Sequence, residues 1–170
     1  MYFDFRSRIA VPVVALVVAI AGCNPEAGTP AAAAVNKEQT ACALLTPDEI
    51  EASFNGAIQV VVDYGTDRLC DYRVVGHEGQ MLLQRMDART YNDRKAMYSS
   101  GAYGDLDPVA VAGLGQDAYL MGDTQIEVHV GEQQAFNLGL TLLTMGELPF
   151  TPEQSKSSMV KLAGTVANRL

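Results

Sequence analysis

The sequence is poor in basic residues, with 12 Lys and Arg against 20 Asp and Glu and a formal net charge of −8. A negatively charged chain repels phosphate backbones, so we expect no nucleic-acid partner. It also gains no attraction to anionic lipid headgroups. The excess of negative charge favours solubility and points to no particular activity.

The sequence also lacks an apolar run long enough to cross a bilayer. The run at residues 9–20 has twelve residues, interrupted once by Pro12, whereas a transmembrane helix needs about 20. Arg6 and Arg8 precede this run and small residues follow it, which is the pattern of a secretory signal peptide. We therefore predict that residues 1–22 direct export.

The end of this run, Ile20-Ala21-Gly22-Cys23, resembles a bacterial lipobox. The resemblance implies that Cys23 is diacylated and becomes the N-terminus after cleavage, the alternative being an ordinary signal peptide beside a chance cysteine. Two acyl chains hold a protein stably, whereas one holds only marginally. The expected location is the cell envelope, lipid-anchored and extracytoplasmic. Asn24 weakly favours the outer membrane in a cell with two membranes.

Residues 24–40 contain four consecutive alanines, two prolines and little to bury. Together with Cys23 they form a predicted flexible tether, residues 23–40, with a span of roughly 20–25 Å. The remaining residues, 41–170, are enough for one domain with its own core.

Cysteine and histidine are scarce, with three and two copies. Once Cys23 is assigned to lipid, Cys42 and Cys70 remain, and an even remainder in an exported chain predicts a structural disulfide. Two thiols are too few for a metal site, and neither His77 nor His129 lies at a metal-ligand spacing from them. A C-x-x-C redox motif is absent. We therefore predict no metal and no cofactor.

Two segments carry the same helix-start signal. Thr46 is a candidate N-cap with Glu49 completing a capping box, and Thr151 and Gln154 repeat the pattern near the C-terminus. A short helix is predicted to start near Thr90, with an Asn or Thr cap.

Between these helices the hydrophobic period is two, which predicts strands. The strand segments are 58–62, 69–75, 81–86, 117–122, 125–131 and 135–143, with a hairpin turn at 131–134. The order of elements predicts an α+β fold, with a mostly antiparallel sheet covered by helices in one domain.

The lipobox, CALLTPDEI, LCDY, VAGLGQDAYL, the hairpin and the last helix together resemble small secreted actinobacterial lipoproteins of unknown function. These are similar to the extracellular sensor domain of a mycobacterial Ser/Thr kinase and to PsbP-like domains. The resemblance covers most of residues 41–170. It implies an α/β/α sandwich and an extracytoplasmic binding or accessory role, with no catalytic residues to carry over.

Residues 111–118, VAGLGQDA, match the G-x-G-x-x-A opening of a dinucleotide-binding fingerprint. That site needs a helix N-terminus directly after the glycines. A strand-like sequence follows Gly115 instead, so we predict a tight turn that uses the conformational freedom of glycine.

Glu127 and His129 lie two apart on a predicted strand and so on one face, where Asn137 and Thr141 are placed to join them. This set raises the possibility of a ligand site or of hydrolase chemistry. No serine nucleophile lies convincingly near, and the polar side of a half-exposed sheet is the simpler interpretation.

The one basic concentration in residues 41–170 consists of Arg85, Arg89, Arg94 and Lys95. Because arginine binds carboxylate or phosphate with two parallel hydrogen bonds, Arg89, Arg94 and Lys95 are candidate ligand-binding residues. The alternative is a solvated helix face that pairs with Asp87 and Asp93.

We therefore expect a membrane-anchored, non-catalytic module that binds an envelope protein or a small ligand. The alternative is an exported hydrolase-type enzyme that uses the Glu127 and His129 face.

Overall fold

The computed structural model describes residues 40–101, 107–143 and 147–170. The predicted signal peptide, Cys23 and the tether as far as residue 39 lie outside the described residues. No helix within the described ranges is long and apolar enough to cross a membrane.

A seven-stranded sheet organises the described residues into one α+β domain. The strands are β1 Val60–Gly65, β2 Leu69–Val74, β3 Glu78–Met86, β4 Val109–Ala110, β5 Asp117–Met121, β6 Gln125–Gly131 and β7 Gln134–Leu143. The helices are a short 3₁₀ helix Ala41–Leu44, α1 Pro47–Ser53, α2 Ala88–Ser99 and α3 Pro152–Ala167. The strand order is β1-β2-β3-β7-β6-β5-β4, and every neighbouring pair is antiparallel. The predicted fold class is confirmed.

Helices α1 and α3 cover one face of the sheet and enclose the main core. Both predicted capping boxes are present: Thr46 and Glu49 exchange backbone and side-chain hydrogen bonds, and Thr151 and Gln154 do the same. The Glu49 carboxylate accepts the Thr46 amide at 2.9 Å. Helix α3 turns a stripe toward the core that contains Ser155, Ser158, Met159, Leu162, Ala163 and Val166.

Helix α2 lies on the opposite face, above a small second cluster of buried side chains. Its start differs from the predicted one. It begins at Ala88 rather than near Thr90, and its N-cap is Asp87 rather than an Asn or Thr. The reason is local, because the Asp87 carboxylate accepts the amide of Thr90 at 2.7 Å. The second cluster consists of Tyr91, Tyr119, Met121 and Ala135.

The predicted disulfide is confirmed. Cys42 and Cys70 are joined, with their Cα atoms 5.0 Å apart. The bridge ties the 3₁₀ helix to β2 and lies against the backbone of Gly65 at the end of β1. A disulfide is typical of proteins that fold in an oxidising compartment.

The glycines of residues 111–118 form the predicted tight turn into β5. Gly113 and Gly115 have φ angles of +77° and +61°, a region that side chains with a Cβ rarely adopt. At Gly115 an added Cβ would lie 2.5 Å from the carbonyl oxygen of His129. The motif therefore allows close approach to the backbone of β6 and leads into a strand rather than a helix.

Candidate functional site

Glu127 is buried beneath α2, which corrects the prediction that it lies on the polar side of a half-exposed sheet. Its side chain has no solvent exposure. Oε1 accepts from Arg94 Nε at 2.7 Å and from the amides of Gln125 and Asn137 at 3.2 Å. Oε2 accepts from the Tyr119 hydroxyl at 2.6 Å. Both carboxylate oxygens are thus engaged, which is the condition for burying a charge at tolerable cost.

A second ion pair lies beside the first. Lys95 Nζ of α2 contacts the Asp117 carboxylate of β5 at 2.5 Å. Burial raises the pKa of Asp117, but the hydrogen bonds from Lys95 and Tyr91 and the charge of Lys95 together outweigh it, so the pKa lies below the ordinary value. The structure thus shows Arg94 and Lys95, both predicted as candidate ligand-binding residues, in ion pairs that attach α2 to the sheet.

Arg89 and Arg85 lie elsewhere. Arg89 is on the solvent side of α2, where it pairs loosely with Asp93 at 3.8 Å and both side chains are largely exposed. Arg85 reaches back to the carbonyl of Asp67 at 3.1 Å. The predicted solvated face is correct for Arg89 and Asp93, whereas Asp87 serves as the helix cap.

His129 is next to Glu127 on β6, but the predicted set does not assemble. The His129 ring stacks on Tyr91 with centroids 5.4 Å apart, and no described residue bonds to its buried Nε2 atom. Asn137 joins Glu127 as predicted. Thr141 does not, because Glu127 lies opposite Asn137 and Thr141 is four residues further along β7, beyond the end of β6. The arrangement joins α2 to the sheet, and both oxygens of the Glu127 carboxylate already accept hydrogen bonds.

The other half of the same sheet face is exposed. Helix α2 packs against β6 and β7, so side chains on β1, β2, β3 and the end of β7 remain in contact with solvent. We call this surface the open face. It consists of Val61, Asp63, Tyr64, Asp71, Arg73, Gln80, Leu82, Thr141 and Leu143.

Large apolar side chains lie on the open face among charged ones. Val61, Tyr64 and Leu143 are 39%, 57% and 67% exposed. A cleft of about 530 Å³ opens on this face. Its lining includes Asp63, Asp71, Arg73, His77, Glu78, Gln80, Thr141 and Leu143. His77 lies at the rim, in the exposed turn where it was predicted.

Asp71 is the least satisfied group of the open face. Its Oδ1 atom is buried, and no described residue donates a hydrogen bond to it. Burial, and then the charge of Asp63, raise the pKa of the Asp71 carboxyl. The negative charge of Asp63 is partly balanced by Arg73, whose Nε lies 4.0 Å from the Asp63 carboxylate. An unpaired carboxylate oxygen reduces stability, so its presence on an exposed face favours a binding role.

The placement of Asp71 and Arg73 on the open face could be predicted in part from the sequence. Alternation in LCDYRVV places Asp71 and Arg73 opposite the core-facing Cys70 and Tyr72. It could not indicate that α2 stops short of them, because that depends on packing between distant elements.

The described residues contain no group of three or more His, Cys, Asp or Glu side chains arranged to hold a metal ion. No protein-family model, curated protein or solved structure matches the chain.

Proposed function

We propose that the protein is a lipid-anchored, extracytoplasmic binding module that engages an envelope protein through the open face. The observation that carries the proposal is Asp71, an incompletely bonded carboxylate among exposed apolar side chains on an uncovered half-sheet. Exposed apolar groups that cluster with polar ones are typical of protein interaction sites.

The shape of the open face favours a protein over a small molecule. Small-molecule sites are concave and bury most of their ligand. The cleft beside Asp71 is open, Leu143 lies in its lining, and the exposed Tyr64 lies outside it on the same face. A protein surface can contact all of these groups at once.

The sequence of the N-terminal part and the disulfide support the location. The lipobox at residues 20–23 and the alanine- and proline-rich segment that follows favour a domain held near a membrane by its N-terminus. The Cys42–Cys70 bridge favours an oxidising compartment.

The engagement of Glu127 favours binding over hydrolysis. A general base needs a free position within hydrogen-bond reach of its substrate, and both Glu127 oxygens already accept hydrogen bonds. His129→Ala tests the enzyme alternative. Loss of a hydrolytic activity in a folded variant would favour the enzyme, and an unchanged hydrolytic rate would contradict it.

Site-specific photocrosslinking in the native envelope tests the binding surface. A photoreactive residue at Leu143 is expected to give a discrete protein adduct, and one at Lys161, exposed on α3, is expected to give none. Asp71→Lys should abolish the Leu143 adduct while leaving the circular dichroism spectrum unchanged. Equal adducts at both positions, or none at Leu143, would contradict the proposal.

The anchor has its own test. Cys23→Ala should move the protein from the membrane fraction to the soluble fraction. A variant that stayed with membranes through a high-salt wash would refute lipid attachment at Cys23 without affecting the crosslinking result.

A further inference from the structure

Helix α2 buries little of itself. Among its twelve residues only Tyr91 is buried, whereas α3 buries six side chains along its core-facing stripe. Regions with few buried apolar contacts open at a lower free energy than the rest of a domain. Apolar packing therefore holds α2 less firmly than it holds α3.

Polar contacts at the edge of α2 supply much of its attachment to the sheet. The Arg94 side chain, 28% exposed, reaches the fully buried Glu127, and Lys95, 39% exposed, reaches Asp117. Gln125 of β6 also donates to the Tyr98 hydroxyl of α2, at 3.5 Å. Because both cations already contact water, they would be rehydrated readily if the helix moved away.

The surface beneath α2 continues the open face. Glu127 lies opposite Asn137 of β7, and Asn137 lies opposite Gln84 of β3. The next row toward the open face crosses the same three strands: Gln125 of β6 lies opposite Gly139 of β7, and Gly139 lies opposite Leu82 of β3. The side chains below the helix and those of the open face thus form successive rows on one side of one sheet.

We propose that α2 is a releasable cover whose departure extends the open face across β7, β6 and β5. The extended surface would add Tyr119, His129 and the Glu127 carboxylate to the apolar and charged groups already exposed. The inference rests on the proposed function insofar as the open face is the surface that binds a partner. Release of the helix itself is a property of the protein alone.

Hydrogen exchange of the whole, partner-free protein tests the inference. In the wild type, peptides of α2 should be protected at least about tenfold less than those of β6 and α3. Glu127→Gln removes the charge that attracts Arg94 while keeping an acceptor for the Tyr119 hydroxyl. This substitution should lower the protection of α2 by a further factor of about ten, with α3 unchanged.

A matched control concerns the other long helix. Lys156 of α3 pairs with Asp123 at 3.0 Å, and Lys156→Met should leave α2 exchange unchanged. Wild-type protection of α2 equal to that of α3 would overturn the proposal. So would loss of protection throughout the domain in Glu127→Gln, because α2 would then unfold only with the whole. A failed crosslink at Leu143 would instead count against the proposed function, since hydrogen exchange involves no partner.

Discussion

The guanidinium of Arg94 donates to the buried carboxylate of Glu127 at 2.7 Å and joins α2 to β6 across 33 positions of the chain. Burial lowers the pKa of Arg94, but the hydrogen bond and charge of Glu127 outweigh it and raise the pKa above its ordinary value. The pair therefore favours the charged form of the arginine at any pH at which the protein is folded.

Arg94→Met should destabilise the domain by about 3 kcal/mol, because it leaves a buried carboxylate without its counter-charge. Urea unfolding measures the effect. Arg89→Met is the matched control on the same helix, and it should change the free energy of unfolding by less than about 0.5 kcal/mol because its pair is solvent-exposed. Similar losses in both variants would contradict the central position given to Glu127.

The lowered pKa of Glu49 predicts that the free energy of unfolding decreases at acid pH. The hydrogen bond from Arg169 lowers the pKa of Glu49 from 4.5 to about 2. Because the folded-state pKa lies below the unfolded value, the carboxylate stabilises the fold above pH 4.5, and this contribution is lost as the pH falls toward 2.

Glu49→Gln isolates that charge, because glutamine can still complete the capping box with Thr46. The variant should be less stable than the wild type by about 1 kcal/mol at pH 7, a modest value because the pair is partly screened by solvent. The difference should disappear near pH 2. A constant difference across this range, measured by urea unfolding at each pH, would show that the Arg169 contact is not the cause.

Asp71→Asn should stabilise the protein, which is the opposite of the effect expected for Glu49→Gln. Burial and the nearby Asp63 raise the pKa of Asp71, so its charged form opposes folding, and the stability associated with the protonated form is lost as the pH rises. The variant should gain up to about 1 kcal/mol at pH 7 and nothing at acid pH. If it also loses the Leu143 crosslink, the wild-type carboxylate is retained for binding despite its cost in stability.

The two glycines of the turn before β5 should respond differently to alanine. Gly113→Ala meets no atom within 4 Å and should cost about 1 kcal/mol, through its positive φ alone. Gly115→Ala should cost about 3 kcal/mol or more, because its Cβ also collides with the His129 carbonyl. Equal melting temperatures for the two variants would contradict this packing.

Replacing Cys42 and Cys70 together by alanine should cost about 3–4 kcal/mol, the value expected for cross-linking residues 28 apart. Thermal unfolding of the variant and of the reduced wild type should agree. Mass analysis without reductant should find the two residues linked in protein isolated from its envelope, and free thiols there would rule the bridge out.

Local features of this fold could be predicted from the sequence. The capping boxes at Thr46 and Thr151 depend on residues three apart, and the period-two segments become strands because alternation matches the pleat of a sheet. The ends of strands and the shortest strand were harder to predict. Strand β1 begins at Val60 rather than at residue 58, and the two-residue β4 was not predicted.

The candidate site was less predictable because it depends on contacts between distant elements. Glu127 resembles a surface residue in the sequence, and its burial is explained by Arg94 of α2 above it and by the hydroxyl of Tyr119 on the next strand. Asp71 was assigned to the correct side of its strand, but its exposure depends on where α2 ends across the sheet. Neither fact follows from a window of neighbouring residues.

The Cys42–Cys70 bridge has a mechanical consequence. It lies two residues after Thr40, where the described part of the chain begins, and β2 is hydrogen-bonded on both sides by β1 and β3. Tension applied through the chain before Thr40 therefore passes by covalent bonds into the interior of the sheet. It bypasses the hydrogen bond from the Ala41 amide to the Thr66 carbonyl. A domain pulled from its N-terminus would resist being unzipped from that end, because the load is borne by a strand paired along both edges.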